Sequence, residues 1–343
     1  MESLSFVNLI HASSFSVCIL GGMLLWRVHN CRGIALLLYL VAFASFVNIA
    51  EETGITRDIY LISPIFIMLF GPAFYLAVKK LTGEPLDKKY MLHFLPVVPV
   101  IFMTENVQLV IAIGTIWRLC YAYLTVVCLL SYKKLLDQER SDADDFSFRW
   151  LIGLVIATAF FNFIDLIRLN SQHLISYEVN VFGQGVNNVI WFVAVLIIIV
   201  KALEQTTYPV FAKNGFQPKI NDVANTDTSE EYQSTFSELD RLIISNQWFL
   251  TPKLTLNELG QLTGLQVREI SRAVNLVAGK SFNEYINCYR VNYVCEKIKQ
   301  GNSHSLTQLF HDAGFSSKAS FNKSFKQVVG VTPSEYRAST LSS

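Results

Sequence analysis

The chain has 343 residues, of which 52% are hydrophobic and only 16% are charged. Together with a mean hydropathy of +0.36, this composition excludes a wholly soluble chain, in which about a quarter of the residues would carry a charge. The formal net charge is only +1, so the chain as a whole is neither strongly acidic nor strongly basic. The composition therefore predicts a membrane domain joined to a more polar part.

Seven stretches of the N-terminal part are apolar and long enough, or nearly so, to cross a bilayer, which takes about 20 residues. They lie at roughly 5–26, 34–52, 59–79, 90–104, 107–131, 149–169 and 182–203. The fourth is short and contains Pro96 and Pro99, so a kinked or tilted segment is expected there. The N-terminus lacks the basic region of a cleaved signal peptide and is expected to remain as the first span. Residues 1–203 are thus predicted to form a seven-helix transmembrane sensor domain.

Lys and Arg are unevenly distributed between the two sets of loops that join these spans. One set carries ten of them, namely Arg27, Arg32, Lys79, Lys80, Lys88, Lys89, Lys133, Lys134, Arg140 and Arg149. The opposite set carries only Arg57 and Arg168. Because basic residues accumulate on the cytoplasmic side, the first set is predicted to be cytoplasmic. With seven spans, the protein would be a multi-pass protein of the bacterial inner membrane, its N-terminus outside and its C-terminal domain in the cytoplasm.

Several polar side chains fall within the predicted spans, where they are costly and often functional. One interpretation is a polar, outward-opening site for an unknown small ligand, in which Arg118 and Asp165 form a buried ion pair. Its candidate residues are Asn48, Glu51, Arg118, Asn162, Asp165, Asn187 and Asn188. The alternative is that these groups form hydrogen bonds between helices and only hold the bundle together. The sequence leaves both interpretations open.

Residues 204–234 are polar, with two prolines and many Asn, Thr and Ser, which predicts a flexible linker. The C-terminal domain follows over residues 235–343. From Thr251 onward there are 11 Lys or Arg against six Asp or Glu, a net charge of +5, which suits a phosphate-bearing partner. The C-terminal part is therefore expected to lie in water and bind a phosphate-bearing partner, whereas the apolar N-terminal part is expected to lie in the membrane.

Two helix-turn-helix patterns follow one another in this basic part. The first has helices near 255–263 and 267–277 around Gly264, and the second has helices near 305–312 and 318–329 around Gly314. Between them, residues 282–299 keep an uninterrupted helical pattern, which is about 27 Å long at about 1.5 Å per residue. Such a rod would hold the second helix of each pattern roughly one DNA turn, about 34 Å, from the other.

The second helix of each pattern, here called a recognition helix, has one apolar and one polar face. The apolar residues expected in the core are Ile270, Val274, Val277, Phe321, Phe325 and Val328. The candidate contacts with double-stranded DNA are Gln266, Arg268, Glu269, Arg272, Asn275, Lys318, Asn322, Lys323 and Lys326, the last on a backbone phosphate. A single polar face is usually only solvated, but two such faces at this spacing favour the reading of two major grooves.

The segment from about Ser237 to Arg337 resembles the DNA-binding domain of the AraC/XylS family of transcription regulators. The residues that carry the resemblance include Gly314, Phe315, Ser320, Phe321, Phe325, Lys326, Gly330, Thr332, Pro333, Tyr336 and Arg337. Gly260 and Phe310 depart from it, since the family usually has alanine there, and Gln266 replaces the usual serine that begins the first recognition helix. Because Phe310 must fit where a methyl group is usual, the second pattern is expected to sit at a slightly altered angle.

The resemblance implies a site-specific activator or repressor that contacts RNA polymerase and forms a homodimer, and a membrane-embedded sensor half is a known variation in that family. No phosphate-binding loop, metal-ligand cluster or nucleophile motif is evident, so neither catalysis nor a cofactor is expected. The predicted function is that of a membrane-embedded one-component transcription regulator. The alternative is a membrane signalling adaptor whose helix-turn-helix domain binds a protein instead of DNA.

Overall fold

The computed structural model describes residues 6–56, 59–84, 87–104, 106–146, 148–171, 173–204, 230–301 and 304–341. Within these ranges the fold is all-α, as predicted, and the only strand-like pairing is an isolated antiparallel bridge between Arg140 and Thr255. The chain divides into two compact units. The N-terminal unit comprises Met1–Leu130 and Phe148–Gly215, and the C-terminal unit comprises Ser131–Ser147 and Phe216–Ser343. Most of the predicted linker, residues 205–229, lies outside the described residues.

The apolar stretches of the sequence form helices because long runs of apolar side chains without breakers favour continuous backbone hydrogen bonding. These helices are α1 (Phe6–Trp26), α2 (Arg32–Glu52), α3 (Ser63–Leu81), α4 (Val97–Ile101), α5 (Val107–Glu139), α6 (Arg149–Asn170) and α7 (Tyr177–Glu204). In the described part of the chain, six of them are long and apolar enough to cross a membrane, and α4 is not. Within the N-terminal unit, α1 packs against α2 and α7, and α2 packs against α3.

The fourth predicted span is therefore not one continuous helix of membrane-spanning length. Residues Lys88–Phe94 form a 3-10 helix, and α4 has only five residues. The reason is local, because Pro96 and Pro99 have no backbone N–H and cannot continue a regular ladder of helical hydrogen bonds. Of the seven stretches predicted as spans, six are thus helices of membrane-spanning length and composition within the described residues.

The same segment nevertheless runs along α3 over its whole length, in the opposite direction. At one end of α3, Lys79 Nζ donates to the hydroxyl of Tyr90 at 2.8 Å. At the other end, the hydroxyl of Tyr60 donates to the carbonyl oxygen of Ile101. Met68 packs between these points against Val97 and Val100. The chain between α3 and α5 thus returns from the C-terminal end of α3 to its N-terminal end.

The C-terminal unit contains α8 (Gln233–Ser245), α9 (Leu256–Thr263), α10 (Val267–Val277), α11 (Phe282–Lys299), α12 (Leu306–Asp312), α13 (Lys318–Val329) and α14 (Pro333–Leu341). The first half of α11 packs into a core that contains Leu239, Leu259 and Ile270, and its second half packs into a core that contains Leu309, Phe321 and Phe325. The helix-turn-helix pairs are α9 with α10 and α12 with α13. Val328, expected in the core, is instead 41% exposed.

Local hydrogen bonds fix where these helices begin. Reciprocal capping boxes join Thr255 to Glu258, Ser281 to Glu284 and Ser305 to Gln308 at the starts of α9, α11 and α12. Each supplies acceptors for backbone N–H groups that the first turn leaves unpaired. The turns between paired helices use left-handed glycines, with φ of +73° at Gly264 and +81° at Gly314. At Gly314 a Cβ atom would lie 2.4 Å from the carbonyl oxygen of Leu250, so only glycine fits.

Candidate functional site

The first recognition helix, α10, turns its apolar face inward and leaves a polar face in solvent. Ile270, Ala273 and Val274 are fully buried, while Gln266 and Arg268 at its N-terminal end are exposed. This end of a recognition helix is the one that contacts base edges in helix-turn-helix proteins. Both residues are therefore accessible to a nucleic acid.

Two of the other predicted contacts on α10, Arg272 and Asn275, form side-chain hydrogen bonds within the protein. The Arg272 guanidinium donates from Nη1 to the hydroxyl of Tyr232 at 3.0 Å, and Asn275 Nδ2 donates to Ser271 Oγ at 3.3 Å. Glu269, Arg272 and Asn275 are each partly buried. Arg272 therefore connects α10 to the residue that precedes α8, and a substitution there would change more than a DNA contact.

The second recognition helix, α13, presents its predicted contacts together. Ser317 caps the helix by accepting the backbone N–H of Ser320 at 3.1 Å, and Phe321 and Phe325 anchor the opposite face in the core. The exposed polar face lines one groove with Lys318, Asn322, Lys323 and Lys326. Three amines converge on this groove, which makes it a surface for an anionic partner.

Two departures from the family pattern are accommodated by neighbouring side chains. Phe310 is 5% exposed and stacks on Phe321 with ring centroids 5.7 Å apart. At Gly260, a Cβ atom would lie 3.0 Å from Cγ2 of Val267, so Val267 fills the space that a methyl group would need. The expected change in the angle of the second pattern stays a prediction.

Residues Arg140–Phe146, here called the acidic turn, also belong to this surface, although sequence reasoning missed them. The backbone N–H of Ser141 donates to the carbonyl oxygen of Leu254 at 2.9 Å. Asn283 Nδ2 donates to the carbonyl oxygen of Ser141 at 2.9 Å. Ser141 and Asp142 are 1% and 2% exposed, so the turn is built into the C-terminal unit.

Arg290 joins the acidic turn to the segment that precedes α9 and to the turn of the second helix-turn-helix pair. Its side chain, 1% exposed, donates to the carbonyl oxygens of Phe249 at 2.7 Å and Thr251 at 2.8 Å, and to Ser141 Oγ at 3.1 Å. Its guanidinium also lies 5.6 Å from the ring centre of Phe315. Burial lowers the pKa of Arg290 to about 10, which leaves it charged at neutral pH.

The acidic turn places two carboxylates at the N-terminal end of α13. Lys323 Nζ donates to Asp144 Oδ1 at 2.6 Å, and the hydroxyl of Ser317 donates to Asp145 Oδ1 at 2.5 Å. One of the predicted DNA contacts, Lys323, is thus already paired with an anion. The sequence does carry a signal for this contact, because the acidic run 142–145 interrupts loops that are otherwise basic.

In the N-terminal unit, five of the seven candidate sensing residues come together around a cavity of about 270 Å³. They are Asn48, Arg118, Asn162, Asn187 and Asn188. The wall is otherwise mainly apolar, with side chains from α1, α2, α3, α5, α6 and α7. A cavity of this kind, with a few polar groups in an apolar wall, has the build of a small-molecule site.

The two acidic candidates do not line this cavity. Glu51 Oε1 accepts the backbone N–H groups of Ile62 at 2.5 Å and Ser63 at 2.8 Å, and so satisfies donors at the start of α3. Asp165 forms its ion pair with Arg168 at 2.8 Å and not with Arg118. The predicted pair of Arg118 and Asp165 is replaced because Arg168 lies one turn from Asp165 on the same helix.

Comparison with known proteins adds to this geometry. Residues 259–339 match a family model described as a helix-turn-helix domain. Over 112 residues the chain is 30% identical to the HTH-type transcriptional activator AarP of Providencia stuartii, a match that covers 32% of this chain and 78% of that protein. No solved structure matches the chain significantly. With two exposed recognition helices in the matched region, the chain belongs to the AraC/XylS family of helix-turn-helix transcription regulators.

Proposed function

We propose that this DNA-binding regulator works while embedded in a lipid bilayer. In this proposal the recognition helices bind specific sites in double-stranded promoter DNA, and the N-terminal unit is the sensor that controls them. The observation that carries the proposal is that the described part of this one chain contains both six helices of membrane-spanning length and two helix-turn-helix pairs. A regulator of this family is normally not an enzyme, and in the described residues no group of three His, Cys, Asp or Glu side chains could hold a metal ion.

The proposed topology is a multi-pass protein of the inner membrane, with the N-terminus outside and the C-terminal unit in the cytoplasm. The distribution of basic residues supports it. So does the segment between α3 and α5, which contacts Lys79 at one end of α3 and Tyr60 at the other. Because that segment returns the chain along α3, six long helices are compatible with basic loops that all lie on one side.

We propose that the N-terminal unit controls the C-terminal unit through the chain segments that connect them. The C-terminal unit includes Ser131–Ser147 between α5 and α6 as well as the residues that follow α7. A small ligand that moves these helices would therefore act on the C-terminal unit through two segments of the chain. Homodimer formation and contact with RNA polymerase complete the proposal.

Crosslinking immunoprecipitation of the tagged full-length protein, mapped across the genome of its own cell, tests this function. The loss-of-contact variant is Arg268→Ala with Lys326→Ala, since both side chains are exposed on recognition helices. The matched control is Arg241→Ala with Lys299→Ala, which removes two exposed charges outside those helices. We expect discrete peaks in the wild type and the control and none in the loss-of-contact variant.

Absence of peaks, with the protein present in the membrane fraction, would contradict the proposal and favour the adaptor. The salt dependence of DNA binding by the full-length protein in nanodiscs then separates the two, because counterion release makes DNA affinity fall steeply with salt. Recovery of the protein in the soluble fraction after cell lysis would contradict the membrane location.

A further inference from the structure

The cavity in the N-terminal unit contains polar atoms that no other part of the described chain satisfies. Arg118 Nε, Asn162 Oδ1, Asn187 Oδ1 and Asn188 Nδ2 are shielded from solvent and have no hydrogen-bond partner among the described residues. All four side chains line the same cavity, and Asn162 is only 5% exposed. Interhelical bonds that only hold a bundle together would pair these atoms with one another. Four unpaired groups around one space instead indicate a missing partner.

The positive charge of Arg118 indicates that the missing partner is an anion. Asp165 accepts hydrogen bonds from Arg168 at 2.8 Å and from Asn187 at 3.3 Å and does not line the cavity. A guanidinium in an apolar wall is costly unless an anion pairs with it. Carboxylates fit guanidinium geometry well because both groups are planar and can share two hydrogen bonds. The remaining wall, which includes Leu37, Val41 and Phe192, suits an apolar body.

We infer that this cavity binds a small amphipathic carboxylic acid, with its carboxylate on Arg118 and its apolar body against the helices. The inference rests on the proposed function, in which the N-terminal unit is the sensor. Two sources could supply this chemistry, namely a fatty acid released from the bilayer and an aromatic acid that arrives from outside. Their shared carboxylate is what Arg118 recognises.

Calorimetric titration of the full-length protein in nanodiscs tests the inference with three probes. Decanoate represents the bilayer source, 3-phenylpropionate represents the external source, and decanol is the uncharged control. We expect one of the carboxylates to bind saturably, decanol to bind at least tenfold more weakly, and Arg118→Gln to remove that difference. Ala159→Phe, which adds a ring at an apolar position of the cavity wall and keeps all of its polar residues, should abolish binding in a folded protein.

The inference is overturned if neither carboxylate binds, if decanol binds as well as decanoate, or if Ala159→Phe binds like the wild type. Because the titration contains no DNA, its failure leaves the immunoprecipitation result standing. Conversely, binding without promoter peaks would contradict the proposed function and leave the site in place.

A different observation carries a second inference, which concerns access to α13. Asp144, whose side chain is 8% exposed, pairs with Lys323 at 2.6 Å and with Lys133 at 3.1 Å. Asp145 accepts from the cap residue of α13, Ser317. Helix N-termini and lysines of a recognition helix are where DNA phosphates bind. The two carboxylates of the acidic turn thus take the positions of an anionic backbone.

The geometry points to an internal competitor of DNA: the acidic turn pairs with Lys323 and with the cap residue Ser317 of the second recognition helix, and it must leave before these two residues can contact DNA. The burial of Ser141 against Arg290, at 3.1 Å, holds the turn in place. Since the turn joins α5 to α6, movement of those helices is a direct way to release it.

Anisotropy titration of a mixed-sequence DNA duplex with the full-length protein in nanodiscs tests this competition. Asp144→Asn with Asp145→Asn removes the two carboxylates, and Glu296→Gln with Asp312→Asn removes two exposed charges elsewhere in the C-terminal unit. We expect the first pair to raise DNA affinity roughly fivefold more than the second, as the loss of a competing ion pair would. Equal affinities would overturn the inference, and so would a loss of affinity in the turn variant.

Hydrogen exchange of the wild type provides a measurement that needs no variant. The backbone N–H of Ser141 is bonded to Leu254 and that of Asp145 to Asp142, so both are expected to exchange slowly. Saturation with the duplex should accelerate exchange across residues 140–146. Unchanged exchange in the DNA complex would show that the turn stays in place and would overturn the inference.

Discussion

The two units of this protein differ in how completely their buried polar groups are paired. Among the described residues, nine buried side-chain polar atoms have no partner, and eight of these belong to the N-terminal unit. In the C-terminal unit even the fully buried Arg290 is satisfied by several oxygens. The C-terminal unit therefore pairs nearly all of its buried polar groups by its own contacts, whereas the unpaired atoms are concentrated in the N-terminal unit.

The largest expected effect is a loss of stability in the C-terminal unit, where the buried polar groups are paired. Arg290→Met removes the donor that serves Phe249, Thr251 and Ser141 and leaves those acceptors buried. Removing one partner of such a buried network costs roughly 3–5 kcal/mol. We therefore expect the C-terminal unit to unfold at a lower urea concentration. Pulse proteolysis of the full-length protein measures this midpoint. Arg241→Met, at an exposed position, is the control. If Arg290→Met lowered the urea midpoint no more than Arg241→Met does, the stabilising role of Arg290 would be contradicted.

A smaller effect tests whether Glu51 is a capping residue or a sensing residue. Glu51→Ala should leave the N–H groups of Ile62 and Ser63 without acceptors, at a cost of about 1–2 kcal/mol. We expect a lower midpoint of thermal unfolding in nanodiscs and unchanged carboxylate affinity, because Glu51 does not line the cavity. Glu178→Ala, an exposed acid on α7, should change neither quantity. Lost carboxylate affinity with normal thermal stability would instead assign Glu51 to sensing.

The smallest effect concerns the charge within a capping box. The backbone N–H of Ser281 lowers the pKa of Glu284, so this carboxylate stabilises the fold above its unfolded pKa, and the gain is lost as pH falls through the lowered folded value. Because Glu284 is exposed, solvent screening limits the effect to a few tenths of a kcal/mol. Glu284→Gln should therefore be less stable than wild type in urea unfolding at pH 7 and indistinguishable at pH 3. A difference that grows on acidification would contradict this sign.

The five helices from α9 to α13 could be predicted almost to the residue because the signals that bound them are local. Thr255 and Glu258 mark the start of α9, and Gly264 ends it, all within ten residues of sequence. The error at Val328 arose at the end of α13, where helical periodicity continues past the core. Hydropathy likewise located the long helices of the N-terminal unit, although it could not distinguish a regular helix from the proline-broken segment at 88–101.

The contacts that could not be predicted join residues far apart in sequence. Lys323 and Asp144 are 179 positions apart and Arg290 and Ser141 are 149 apart, and no periodicity relates them. The cavity was anticipated in part because Arg118 and the asparagines are unusual within apolar helices. Which of the candidates face it depends on how each helix is rotated, and a nearly uniform apolar surface does not fix that rotation.

The capping boxes also have a consequence for the order in which the molecule folds. Each closes between residues three positions apart, so the starts of α9, α11 and α12 can form as soon as that stretch of chain is free. Docking of the acidic turn instead needs a segment made long before Arg290 to find it across 149 positions. Such long-range closure is slow compared with helix formation. A newly made C-terminal unit would pass through an interval in which its helices are complete and Lys323 is not yet paired with Asp144.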